Sequence, residues 1–174
     1  MILVTVGTQF FDELIQEVDR LAGEGAFGEP VFAQIGQAIR LPRHVRHVRF
    51  DHDLVNKARE ASLIISHAGT GLLCELIELG RPFVAVANQT KAGNHQLEFL
   101  RHLSTLYDFC WIDSPHYLQS ALRHARPARP LHTHDPAQLG RNICAYLNSL
   151  LRATPSADTR QLRIDGTTHA GIGR

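Results

Sequence analysis

The chain is expected to fold as an α/β domain, a parallel sheet of about six strands with helices on both faces. Three features of the sequence predict this. Short runs rich in apolar and β-branched residues recur at 2–6, 31–35, 63–65 and 83–87, as strands buried on both faces require. Between them lie segments with apolar residues three and four apart, such as Phe11, Leu14, Ile15, Val18 and Leu21, which give a helix one buried stripe. The strands end in turns of glycine and small polar residues, which gather at the carboxyl edge of a Rossmann-like sheet, where ligands collect.

The elements follow in order. Residues 2–6 make the first strand and Gly7-Thr8-Gln9 the turn after it; the next helix sets its apolar stripe against Asp12, Glu13, Glu17 and Asp19. Gly23, Gly25 and Gly28 loop to the strand 31–35, and 36–42 is a connector. Val45, Val48 and Phe50 mark another strand, and Asp51 or Asp53 is placed to cap the helix of Leu54, Val55, Ala58 and Ala61. The strand 63–65, the turn 66–71 and a helix carrying Leu72, Leu73, Leu76, Ile77 and Leu79 come next. Gly80 and Pro82 stop that helix, since glycine adopts the left-handed conformation at its end and proline cannot extend it.

After the strand 83–87 and the loop 88–93, Asn94 opens a helix carrying Leu97, Phe99, Leu100 and Leu103; 109–112 is the last strand and 117–124 a short helix. Prolines keep any regular element in 126–136 short. Helical spacing returns through Leu139, Ile143, Leu147 and Leu150, and 152–174 is polar and aperiodic. A domain over 1–151 followed by a disordered tail over 152–174 is the expected organisation.

Composition narrows the function. At 174 residues, 44% hydrophobic and 20% charged, the chain can bury a core unaided and reads as one soluble globular domain. A net charge of +1 gives no electrostatic case for nucleic acid. Arg40, Arg43, Arg46 and Arg49 with His44 and His47 form a local basic patch, read as a solvated face or partner surface, with acidic phospholipid as a further reading. Cys74, Cys110 and Cys144 are widely spaced among apolar residues, as the buried thiols of a reduced intracellular protein are. The histidines do not form a spaced ligand set with carboxylate or cysteine support, so no metal is expected. Residues 1–6 read as a strand rather than a signal peptide, and no run approaches the ~20 apolar residues of a membrane span. A cytoplasmic protein is expected, held at a membrane only through a partner.

The stretch 63–82 carries the chemistry. Glycine lets backbone amides approach a ligand, and the amides and dipole of the following helix favour phosphate, so an anionic ligand is expected near Gly69, Thr70 and Gly71. Glu75, one helical turn on, is placed to accept two hydrogen bonds from a ribose diol. His67 either touches that ligand or hydrogen-bonds backbone. Neither a Walker sequence nor the full Gly-x-Gly-x-x-Gly spacing is present. A glycine turn that only packs a helix on a strand is the alternative.

Val-Gly-Thr-Gln (6–9), Gln-Ile-Gly (34–36), Ser-His-Ala-Gly-Thr-Gly (66–71), Glu75, Gly-Arg-Pro (80–82) and Asn-His-Gln (94–96) occur in an order that resembles the donor-binding half of GT-B glycosyltransferases of family 28. The resemblance covers roughly residues 1–124. It extends to stand-alone halves: the catalytic subunit of the eukaryotic dolichol-linked N-acetylglucosamine transferase and bacterial exopolysaccharide subunits of the PssE type. Relatives commonly have a serine where this chain has Leu72.

The resemblance implies that Gly69, Thr70 and Gly71 meet the diphosphate of a UDP-sugar, Glu75 the ribose and Phe50 the uracil, while Asn94, His95 and Gln96 bond the sugar hydroxyls. Gly7, Thr8 and Gln9 would form a first glycine turn facing the cleft. It also implies an inverting transfer with no cofactor beyond the UDP-sugar substrate, to a lipid-linked saccharide acceptor. A membrane-anchored PssD-like subunit would bind that acceptor and supply the catalytic base, and the helix 136–151 would reach it. The competing readings are a non-catalytic nucleotide-sugar-binding subunit that enhances a partner, and an NAD-binding Rossmann domain.

Overall fold

The computed structural model describes residues 1–89, 95–131, 140–141 and 143–146. Two compact units divide the chain, Met1–Thr133 and His134–Arg174. In the second, residues 140–141 and 143–146 are helical. The remainder of the expected helix 136–151 and the tail 152–174 lie outside the described residues.

The first unit is built on a six-stranded parallel sheet of β1 (Ile2–Thr5), β2 (Val31–Gln34), β3 (Arg46–Val48), β4 (Leu63–His67), β5 (Phe83–Val86) and β7 (Cys110–Ile112). Their spatial order is β3-β2-β1-β4-β5-β7. The chain first steps outward from β1 through β2 to β3, then crosses back to β4 and steps outward the other way. The reversal falls between β1 and β4, which pair in register from Ile2 opposite Leu63 to Thr5 opposite Ser66. At such a reversal the loops leave in opposite directions and open a crevice at the carboxyl edge.

Alternation along the strands sends successive side chains to opposite faces. Ile2, Val4, Val6, Ala33, Ile35, Ile65, Val84 and Val86 form one core with Phe11, Leu14, Ile15, Val18 and Leu21 around α1 (Asp12–Gly23), joined by Leu118 and Ala121. On the other face Leu3 and Ile64 lie beneath α2 (Leu54–Glu60) and α3 (Thr70–Leu79). α4 (His95–Leu103) buries Phe99, Leu100 and Leu103. Gly80, with φ 66°, ends α3 as expected, its N–H reaching the Leu76 and Ile77 carbonyls.

Four expectations change in detail. The last strand does not run through Phe109: β6 (Tyr107–Asp108) leaves the main sheet and pairs antiparallel with β8 (Arg129–Pro130), while Phe109 turns inward to stack on Phe83 at 5.7 Å. The expected short helix at 117–124 is a 3-10 turn, the one-turn α5 (Leu118–Ala121) and a second 3-10 turn. Asp53 occupies the N-cap of α2, yet its side chain caps no helix amide; it accepts from the Asn56 side chain, and its own N–H donates to Asp51. Of the three thiols, Cys110 is buried, Cys74 half-buried and Cys144 exposed, so burial does not extend to Cys144.

Candidate functional site

The two turns that leave β1 and β4 meet at the reversal point, and one imidazole lies against both. His67 closes β4 with its side chain buried, 5% exposed. A methyl built on Gly7 would stand 2.9 Å from His67 Cε1, and one on Gly69 would collide with His67 Nε2. The ring thus occupies the volume that any side chain at either glycine would need. Gly7 also has φ 61°, a conformation that glycine adopts without strain.

Buried polar groups hold the first turn. The Gly7 N–H donates to Thr5 Oγ1 at 3.1 Å, and Gln34 Nε2 donates to the Gly7 carbonyl at 3.0 Å. Gln34 Oε1 accepts the Asp51 N–H at 2.9 Å, which ties the end of β3 to the same side chain. Gln34 is 1% exposed, and a buried amide with both ends bonded fixes its neighbours because leaving either partner unpaired would be costly. Gly36, at φ 52°, closes the cluster: a methyl there would lie 2.5 Å from the Gln9 carbonyl.

A third loop joins through Gln96. Its Oε1 accepts the Asn88 N–H at 2.9 Å and its Nε2 donates to Gln9 Oε1 at 3.2 Å, while Asn88 Nδ2 donates to the Phe10 carbonyl at 2.8 Å. The tips after β1, β4 and β5 are therefore brought together. Gln96, expected to bond sugar hydroxyls, links two loops within the protein. His95 is exposed at the start of α4, and Asn94 lies outside the described residues.

The second turn is shaped differently. Gly69 is the N-cap of α3 in an extended conformation, and no side chain caps the helix. Its carbonyl accepts the Leu73 N–H, so the amides of Thr70, Gly71 and Leu72 are those of a first helical turn, which has no intrahelical partners. A methyl on Gly71 would meet nothing within 4 Å. Glu75, exposed on the second turn of α3, lines a groove of about 540 Å³ with Thr5, Leu54, Val55 and Leu72 between α2 and α3. Phe50 is 55% exposed, lies edge-on to His52 at 5.1 Å and is not among the residues of that groove. Next to it the Lys57 ammonium, 2.9 Å from Asp51, holds the Asp51 carboxyl below its ordinary pKa, and Asp51 raises that of Lys57.

Gln34 and Asn88 tie these loops together, a role that spacing alone does not assign to them. A glutamine ending an otherwise apolar strand was the available signal, since a buried amide must have partners. Among the described residues no cluster of three or more His, Cys, Asp or Glu could hold a metal ion, and no helix is long and apolar enough to cross a membrane.

A parallel sheet with glycine turns at its reversal point, one opening a helix with no side-chain cap, places the chain among the doubly wound α/β domains. Residues 1–138 match the glycosyltransferase family 28 C-terminal domain, and the chain belongs to that family. It is 36% identical over 113 residues to the UDP-N-acetylglucosamine transferase subunit ALG13 of Homo sapiens, covering 59% of this chain and 10% of that protein. The subunit of the same name in Mus musculus is 35% identical over 111 residues, 58% of this chain and 10% of that one. The chain thus spans about a tenth of the length of these relatives. The crystal structure of Acinetobacter baumannii MurG superposes with a TM-score of 0.53 at 20% identity, over 70% of this chain and 40% of that one, and shares its fold.

Proposed function

We propose that this chain is the donor-binding subunit of a two-component inverting glycosyltransferase that uses a UDP-sugar. The observation that carries the reading is the meeting of the two glycine turns at the sheet reversal, with the uncapped first turn of α3 beside them. Family membership and similarity to UDP-N-acetylglucosamine transferase subunits support it.

In this reading the amides of Thr70 and Gly71 bind the diphosphate, Gly69 allows its close approach, and Glu75 accepts from the ribose hydroxyls. Phe50 would lie against the uracil. Gly7, Thr8 and Gln9 form the wall facing the acceptor, with His67 and Gln96 holding that wall in place and Asn94 and His95 nearest the sugar. An acceptor hydroxyl attacks the anomeric carbon, its proton passes to a base on the partner chain, and the bond to UDP breaks as the helix amides take up the charge on the leaving phosphate. The partner is a membrane-anchored, PssD-like subunit that binds a lipid-linked saccharide and recruits this chain to the inner face of the cytoplasmic membrane, in exopolysaccharide or capsule synthesis.

Titration calorimetry with a panel of UDP-sugars, with and without a co-expressed partner, tests the reading. Glu75→Ala is expected to weaken UDP about tenfold, the worth of one charge-assisted pair of hydrogen bonds. UDP affinity unchanged by that substitution counts against the ribose role. Wild-type binding with no transfer in the presence of the partner would make the chain a non-catalytic enhancer.

A further inference from the structure

We propose that Gln34 is a positioning residue whose amide couples the segment 50–54, facing the nucleoside, to the turn 7–9, facing the acceptor, so that a nucleoside bound at the first orders the second. The inference rests on the donor reading and adds a physical link between the two walls of that site.

The positions of the walls make such a link necessary. β1 and β3 flank β2, so the loops that leave them stand about 10 Å apart, twice the ~4.8 Å between neighbouring strands. Backbone bonds join each of them to β2: the Val6 N–H donates to the Gln34 carbonyl at 3.2 Å, and the Ile35 N–H to the Val48 carbonyl at 2.9 Å. These bonds do not join the two loops to each other. Gln34, the last residue of β2, spans the gap with its side chain.

Its amide has one orientation that satisfies both ends. The Asp51 N–H can only donate and meets Oε1 at 2.9 Å, whereas the Gly7 carbonyl can only accept and meets Nε2 at 3.0 Å. Nε2 also lies 3.4 Å from Thr5 Oγ1, which takes the Gly7 N–H at 3.1 Å. Both backbone polar groups of Gly7 are thus held in this one buried cluster.

From Asp51 the tie continues into α2. Asp51 Oδ1 accepts the N–H of Asp53, the N-cap of that helix, and Oδ2 receives the Lys57 ammonium one turn on, both at 2.9 Å. Lys57 lies 5.5 Å from the ring centroid of Phe32, which shares the Gln34 face of the sheet two residues earlier. The first residues of α2, Leu54 and Val55, line the groove that also carries Glu75. Gln34 therefore has the nucleoside-facing wall at one end of its amide and the Gly7 turn at the other. None of its side-chain bonds goes to α3, whose amides are assigned to the diphosphate. Loosening 50–54 should raise the ordering cost of binding the nucleoside and leave the phosphate contribution untouched.

Calorimetry with uridine and UDP, joined to amide exchange followed by NMR, tests this. Gln34→Met, similar in length but without the amide bonds, should weaken uridine and UDP by about tenfold each and leave their ratio unchanged. Gln34→Glu keeps an oxygen for the Asp51 N–H and should recover most of that loss. In the wild type, uridine should slow exchange of the Gly7 and Gln9 amides, a readout that needs no variant to fold; in Gln34→Met the slowing should vanish. Leu118→Ala, in the core against α1, is the control: its melting temperature should fall while both affinities hold at a temperature where it is folded. A wild type that binds neither uridine nor UDP ends the donor reading and this inference with it. If both bind, the positioning role alone is overturned by any of three results: uridine affinity unchanged in Gln34→Met, a loss that Gln34→Glu does not recover or that Leu118→Ala matches, or Gly7 and Gln9 exchange that uridine leaves unaltered.

Discussion

The two glycine turns at the sheet reversal look alike in sequence and differ in what their glycines are for. Gly7, Gly36 and Gly69 are crowded by this chain's own atoms: His67 fills the space beside Gly7 and Gly69, and the Gln9 carbonyl fills that beside Gly36. Gly71, two residues from Gly69, faces open space. A crowded glycine is required by the fold that surrounds it. An open one at a helix start leaves room for something the chain does not itself supply. The contrast separates residues that build the site from residues that use it.

The largest expected effect comes from filling a crowded position. Gly69→Ala should cost about 1–3 kcal/mol of stability, because the methyl meets the His67 ring, and should weaken UDP binding more than tenfold. In a His67→Ala background the ring is gone, so the added cost of Gly69→Ala should largely vanish in a double-mutant cycle read by denaturant melts. Additive losses would mean that the imidazole does not connect the two turns.

Gly71→Ala sharpens the comparison from the other side. Alanine is favoured over glycine inside a helix, so the variant should be as stable as the wild type or about 0.5–1 kcal/mol more stable. Its UDP affinity should nevertheless fall about tenfold, since the methyl stands where the phosphate would approach. Loss of stability without loss of affinity would place Gly71 with the crowded glycines.

The smallest effect concerns the support beneath Gln34. Lys57 and the Asp53 amide hold the Asp51 pKa below its unfolded value, so this stabilisation is complete above the ordinary carboxylate range and is lost as the pH falls through the folded pKa. Asp51→Asn should therefore lower the plateau of a stability–pH curve near neutral pH and flatten its acid limb below about pH 4, so that the variant and wild-type curves converge in acid. A curve that keeps its acid slope would show that another carboxylate carries it.

The sheet, its helices and the two turns were legible because buried strands and amphipathic helices announce themselves by period, and Gly80 with Pro82 marks a helix end directly. Glu75 and the start of α3 were placed by the same spacing. What spacing does not reveal is which way a polar side chain spends its hydrogen bonds. Gln96 lies at the loop tips as expected, but its amide bridges Asn88 and Gln9 because both come within reach only in three dimensions. Gln34 looked like a strand end, and its role depends on Asp51 and Gly7 converging on it from different strands. The exit of β6 from the sheet was hidden for a similar reason, since it follows from Phe109 stacking on Phe83.

Calorimetric titration of the wild-type chain with uridine, UMP and UDP, repeated on Gly71→Ala, tests the site most directly. If the uncapped start of α3 receives the diphosphate, affinity should rise stepwise from uridine to UDP, and the advantage of UDP should disappear in the variant while its melting temperature holds. UDP bound no more tightly than uridine, or an advantage that Gly71→Ala leaves intact, would contradict a diphosphate site at this edge.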